Sequence, residues 1–216
     1  MLEELKSVIS GKTVDALLPP LLFVLVNGAF GLESAVVTAV FSALLIGFLR
    51  LLRRQTLSYA FGGLIMVVLA AALAFLTRDA TNYFIPAMAG SALLLAAALA
   101  SLLAGKPLAA WASHLTRGWP LDWFWRSDIK PAYVEVTWFW ALFLLGRLAI
   151  QVLLYLAGDA ARLAWANVLL GWPVTIPILI LTYIYGLWRL RRLGGPGVEE
   201  FREGKVPPWL GQTRGF

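Results

Sequence analysis

The chain of 216 residues is 60% hydrophobic and 14% charged, against about 25% charged residues in an ordinary soluble domain. Its net charge of +6 sits on Lys and Arg clustered between long apolar runs, which points to membrane topology and argues against nucleic acid as a partner. The absence of cysteine excludes disulfides, thiolate catalysis, Fe–S clusters and cysteine-type zinc sites.

In chain order, residues 1–13 form a polar N-terminal segment with no cleavable signal expected. Residues 14–193 hold six predicted spans of an all-α, polytopic transmembrane helical bundle. These are Val14–Phe30, Ser34–Leu52, Ser58–Thr77, Tyr83–Ala104, Ala132–Ala157 and Leu163–Leu190. The first contains Pro19-Pro20 and is short for a hydrocarbon core of about 30 Å, so a re-entrant first hairpin or a five-span chain is the alternative. Within the sixth, Pro173 and Pro177 each remove a backbone hydrogen bond and predict a kink.

Of the eighteen Lys and Arg residues, fifteen fall at the N-terminus, around Arg50–Arg54, in the loop 105–131 and at the C-terminal end. Only Arg78 and Arg162 lie in the alternate connections. The positive-inside rule therefore places both termini in the cytoplasm. In the long loop, Leu108, Trp111, Ala112 and Leu115 recur with helical period, predicting an amphipathic helix over Pro107–Thr116 in the cytoplasmic interface. Lys106, Trp111, Arg117, Trp123 and Trp125 are the candidate interface contacts, since amphipathic rings favour the headgroup level. The tail 194–216, rich in Gly, Pro and charge, is expected to be solvated and flexible.

Arg147 is the most informative single residue, about 24 Å along the fifth helix from Pro131 and therefore near mid-bilayer. An arginine there needs a polar partner. Gln151 lies one turn on and Tyr155 follows on much the same face, while Asn27, Glu33 and Asn167 on other segments are the further candidates for an intramembrane polar site. Such a site would bind an anion or gate a path; alternatively, backbone carbonyls and Gln151 satisfy a structural arginine. Glu135 is expected to pair with Lys130 or Arg126 near the interface, and Ala70/Ala74 and Ala92/Ala96/Ala100 offer small-residue contact faces. His114 is the single histidine, so no metal or other cofactor is expected. No catalytic motif and no converging pair of intramembrane carboxylates is present, so no enzyme is expected either.

Leu17–Pro20, the turn at Gly31, Arg53-Arg54-Gln55-Thr56, Lys106-Pro107-Leu108 and Arg147-Leu148-Ala149-Ile150-Gln151 followed by Leu154–Gly158 occur in an order that resembles the DUF3159 membrane proteins. More distantly the chain resembles the intracellular septation protein A family, where no arginine is expected at position 147. The resemblance spans about residues 15–190. It implies a bacterial plasma-membrane protein without assigned catalysis, working in envelope maintenance through lipids, other membrane proteins or self-association.

Overall fold

A computed structural model describes residues 12–52, 57–212 and 215–216, so most of the expected N-terminal segment and the Arg53–Thr56 motif lie outside the described residues. The described chain is all-α, without strands. Its larger helices are α1 (Lys12–Phe30), α2 (Leu32–Leu52), α3 (Leu57–Thr77), α4 (Ile85–Leu103), α5 (Leu108–Arg117), α7 (Lys130–Leu156), α8 (Ala160–Leu169) and α9 (Trp172–Leu193). A 3-10 helix, Ala80–Phe84, leads into α4, and the short helices α6 (Leu121–Phe124) and α10 (Val198–Arg202) flank the rest. Most predicted boundaries are met within about two residues, the ordinary uncertainty of a helix end.

Among the described residues, four helices or joined helix pairs are long and apolar enough to cross a membrane: Leu32–Leu52, Ala80–Leu103, Lys130–Leu156 and Ala160–Leu193. Leu18–Phe30 and Gly62–Thr77 are shorter apolar stretches. The predicted sixth span is two helices rather than one. Pro173 has no N–H to offer the carbonyl of Leu169, so the α-helical ladder ends and α9 restarts with proline in its first turn. Gly171 occupies the break, where a Cβ would meet the carbonyl oxygen of Asn167 at 2.8 Å.

The chain divides into two compact units, Met1–Gly90 with Ala149–Pro173, and Ser91–Leu148 with Val174–Phe216. In the first, α1 and α2 form a hairpin through Gly31, whose φ of +82° suits glycine. Ala35, Ala39, Ala43 and Gly47 recur every four residues on the buried face of α2, and Ala70 and Ala74 are buried on α3 as predicted. Phe23 at their centre stacks on Tyr83 at 4.0 Å and meets Phe84 edge-on. The loop before the 3-10 helix is held by Asp79, whose Oδ1 accepts from the backbone N–H and the hydroxyl of Thr81 at 2.8 and 2.7 Å.

In the second unit, Pro107 supplies no side-chain cap for α5. Its first N–H groups instead find hydroxyls, Leu108 donating to Ser101 at 2.9 Å and Ala109 to Thr137 at 3.1 Å. Ala110 and Ser113 form its buried face, leaving Ala112 and Leu115 of the predicted apolar stripe exposed. On α4 the buried positions are Ser91, Leu95 and Ala98, so the small-residue face expected at Ala92, Ala96 and Ala100 is not the packed one; Ala96 and Ala100 are exposed. The larger side chains at Leu95 and Leu144 close that contact instead.

The tail also departs from the flexibility expected of it, because residues beyond Gly194 fold onto this unit. Pro196 and Val198 are buried, and Phe216 stacks on Tyr133 at 4.3 Å. The Glu200 carboxylate accepts the N–H groups of Gly197, Leu210 and Gly211 at 2.8, 2.8 and 3.1 Å. These donors, Gly197 first, hold its pKa below the usual carboxylate range. A lowered carboxyl pKa gives stabilisation that is present above the unfolded value of about 4.3 and lost as pH falls through the folded one. Amide NMR shifts of Leu210 and Gly211 are therefore expected to stay constant from pH 7 to about 5 and move toward unfolded values at more acid pH. In Glu200→Gln they should already be displaced at neutral pH.

Candidate functional site

Gln151 and Asn167, two of the residues expected in an intramembrane polar site, do meet. Gln151 is fully buried, and its Nε2 donates to Asn167 Oδ1 at 2.7 Å, while Asn167 Nδ2 donates to the Leu163 carbonyl at 2.8 Å. One turn beyond Gln151, the Tyr155 hydroxyl donates to Asn82 Oδ1 at 2.6 Å, and Asn82 Nδ2 donates to the Thr77 hydroxyl at 2.8 Å. This ladder ties α7 to α8 and to the 3-10 helix inside the first unit. Asn82 was not singled out in the sequence, although an asparagine one step from an apolar run was the available signal.

The remaining candidates are not drawn into that network. Glu33 is exposed in the first turn of α2, and Asn27 is half-buried on α1, its backbone carbonyl accepting from Gly31 at 3.2 Å. Arg147 is half-buried on the stretch of α7 that belongs to the second unit, with its Nε buried and without a hydrogen-bond partner among the described residues. Gln151 Oε1 shares that condition.

Arg50 carries a charge the sequence reading had assigned only to topology. It lies in the last turn of α2 at 8% exposure, on the wall of a cavity of about 330 Å³ within the first unit. Pro20, Ile46, Val67, Phe84 and Val168 give that cavity an apolar lining. Asn167 also reaches its wall, with both ends of its amide engaged as described above.

In the second unit Glu135 corrects an expected pairing. Its partners are Arg189, with Nε at 2.9 Å and Nη2 at 2.9 Å, and Tyr185, whose hydroxyl donates at 2.7 Å. Arg126 binds Asp128 instead, at 2.9 and 2.7 Å, and this bond raises its pKa. A fork on a carboxylate two turns into α7 requires an arginine that comes alongside it, and α9 brings Arg189 there.

The candidate interface residues separate into two kinds. Lys106 is exposed, with Nζ 5.9 Å from the centroid of half-buried Trp125, while exposed Arg117 lies over Trp119 at 4.9 Å. Trp111 is half-buried beside Trp125, at 6.0 Å between centroids. Trp123, however, is fully buried and its Nε1 donates to the Pro196 carbonyl at 2.9 Å. It is a core residue of the second unit, because the folded tail supplies the buried partner its indole N–H requires.

Nothing matches the chain among curated proteins or among solved structures. The family model described as protein of unknown function DUF3159 matches residues 10–191, a span holding α1–α8 and nearly all of α9. The chain is a member of the DUF3159 family.

Proposed function

We propose that this chain is a multi-pass protein of the bacterial plasma membrane, with about six crossings and both termini cytoplasmic, that works without catalysis through lipid and protein contacts in maintaining the cell envelope. One observation carries the reading. In the four candidate spans, no more than 28% of the most apolar stretch is buried within the protein. Side chains such as Phe30, Phe41, Leu76, Leu93, Leu153 and Leu156 are 66–78% exposed. Apolar surface on that scale needs lipid or protein partners to cover it.

The polar groups of the spans support a contact role, since Gln151 is committed to Asn167 and Glu135 to Arg189 and Tyr185. The exposed stripe of α5 at Ala112 and Leu115 suits a helix lying in the interface. A second reading, a small transporter for anions, draws on the unpartnered Nε of Arg147. Flux separates them. Proteoliposomes containing the wild-type chain are expected to release chloride or phosphate no faster than protein-free vesicles, and Arg147→Gln should change only folding or assembly. Rapid wild-type release that disappears in a well-folded Arg147→Gln variant would replace the contact role with transport.

A further inference from the structure

We propose that the loop 204–211 of the tail is a membrane anchor in its own right, inserting Val206, Pro207, Pro208 and Leu210 into the boundary between lipid headgroups and acyl chains. The proposal rests on the membrane reading above and extends it to a segment that lies outside both the family match and the candidate spans. Val206 and Leu210 are 79% and 93% exposed, and both prolines between them are exposed as well. Singly exposed apolar side chains are ordinary on a protein surface, whereas four gathered on one short loop form a patch that calls for a partner. The rest of the tail does not share this exposure, since residues 195–198 and Gln212 are buried.

Two observations select lipid as that partner. The first is the level at which the second unit holds the loop. The Arg126 guanidinium lies 5.3 Å from the centroid of the Trp209 ring, one turn ahead of the start of α7 at Lys130. Arg202 Nη2 donates to the Gly118 carbonyl at 3.3 Å, at the end of α5, and Trp123 ties Pro196 just beyond the end of α9. The loop is therefore docked where the long helices end and the amphipathic α5 lies, which in a bilayer is the headgroup level.

The second is the loop's backbone. Hydrocarbon penalises an amide N–H that has no acceptor. Here Gly204 and Lys205 donate to the carbonyls of Phe201 and Glu200 at 3.2 and 2.9 Å, and Leu210 and Gly211 donate to the Glu200 carboxylate. Pro207 and Pro208 have no N–H to lose. The Trp209 indole N–H is also spent, on the Lys205 carbonyl at 3.0 Å. Exposed Arg202 and Lys205 are matched by exposed Glu199 and Glu203, so the attraction comes from the apolar side chains and not from charge.

The absence of cysteine allows one nitroxide to be placed at a time. Leu210 is held through its backbone N–H and its side chain is almost wholly exposed, so Leu210→Cys leaves the bond to Glu200 in place. The full chain is reconstituted in phosphatidylcholine nanodiscs, and collisions of the label with oxygen and with a water-soluble nickel chelate are read by electron paramagnetic resonance. Glu203→Cys is the aqueous reference, and Leu145→Cys, 53% exposed on α7, is the reference for a span. The label at 210 is expected to favour oxygen, at the depth of interfacial anchors, about 5–10 Å into the boundary. The label at 203 should favour nickel, and exchanging phosphatidylcholine for phosphatidylglycerol should not shift the depth at 210. A label at 210 as open to nickel as the one at 203, or shielded from both reagents as in a contact with protein, overturns the proposal. Either result leaves the membrane reading standing, because that reading fails separately if the label at 145 favours nickel.

Discussion

Trp123→Ala is expected to destabilise the second unit by about 3–5 kcal/mol, the range for truncating a large buried aromatic. Trp123 is fully buried, edge-on to Trp119, Phe124 and Tyr133 at 5.5, 5.0 and 6.1 Å. Its indole N–H also holds the tail through the Pro196 carbonyl. Truncation opens a cavity among rings too rigid to close it and leaves that carbonyl without its donor. Trp123→Phe keeps most of the ring volume and loses the hydrogen bond, so it should cost about 1–3 kcal/mol. Thermal unfolding in detergent, followed by near-ultraviolet circular dichroism, measures both. A Trp123→Ala variant as stable as the wild-type chain would show that this cluster does not support the fold.

Ala39→Leu should be the most damaging conservative change in the first unit, by about 1–3 kcal/mol or more. Ala39 is fully buried in the row Ala35, Ala39, Ala43 and Gly47, where α2 packs closely with its neighbours. Under the membrane reading proposed above, where lipid tails are as apolar as leucine, helix association here depends on close packing of small residues rather than on escape from water. Three added carbons separate the helices and forfeit those contacts. Ala96→Leu on α4 is the control, because Ala96 is exposed and the change should be nearly neutral. The same unfolding measurement, run on both variants, should separate them clearly; equal stability would remove the small-residue stripe as an explanation of packing.

The helices themselves were legible because long apolar runs leave the backbone no partner but itself. Ser34–Leu52 and Ser58–Thr77 were thus found within two residues of α2 and α3. The break at Gly171 was only partly legible: Pro173 announced a disturbance, but whether a proline kinks a helix or ends it depends on the packing on either side. Gln151 and Asn167 stood out by the scarcity of polar groups in the spans, but each was expected beside Arg147 and their bond to one another was not foreseen. The pairing of Glu135 with Arg189 was not legible either, since the partners are 54 residues apart and several nearer cations competed. Trp123 was misplaced for a related reason, because a tryptophan suits either a headgroup or a core that offers its N–H an acceptor. The tail looked solvated by composition, yet Glu200 gathers three backbone N–H groups, a contribution no side-chain pattern reveals. Arg50 was read only as one of a basic cluster because a cavity exists only once several helices have packed.

Because the chain contains no cysteine, single cysteines report membrane sidedness directly. Arg162→Cys, Thr116→Cys and Glu203→Cys occupy exposed positions on three different connections. In intact bacterial cells treated with a membrane-impermeant maleimide, Arg162→Cys is expected to react at once, and the other two only after permeabilisation. Labelling of Thr116→Cys or Glu203→Cys in intact cells would contradict the proposed orientation, and release of the chain from membranes without detergent would contradict the membrane reading itself.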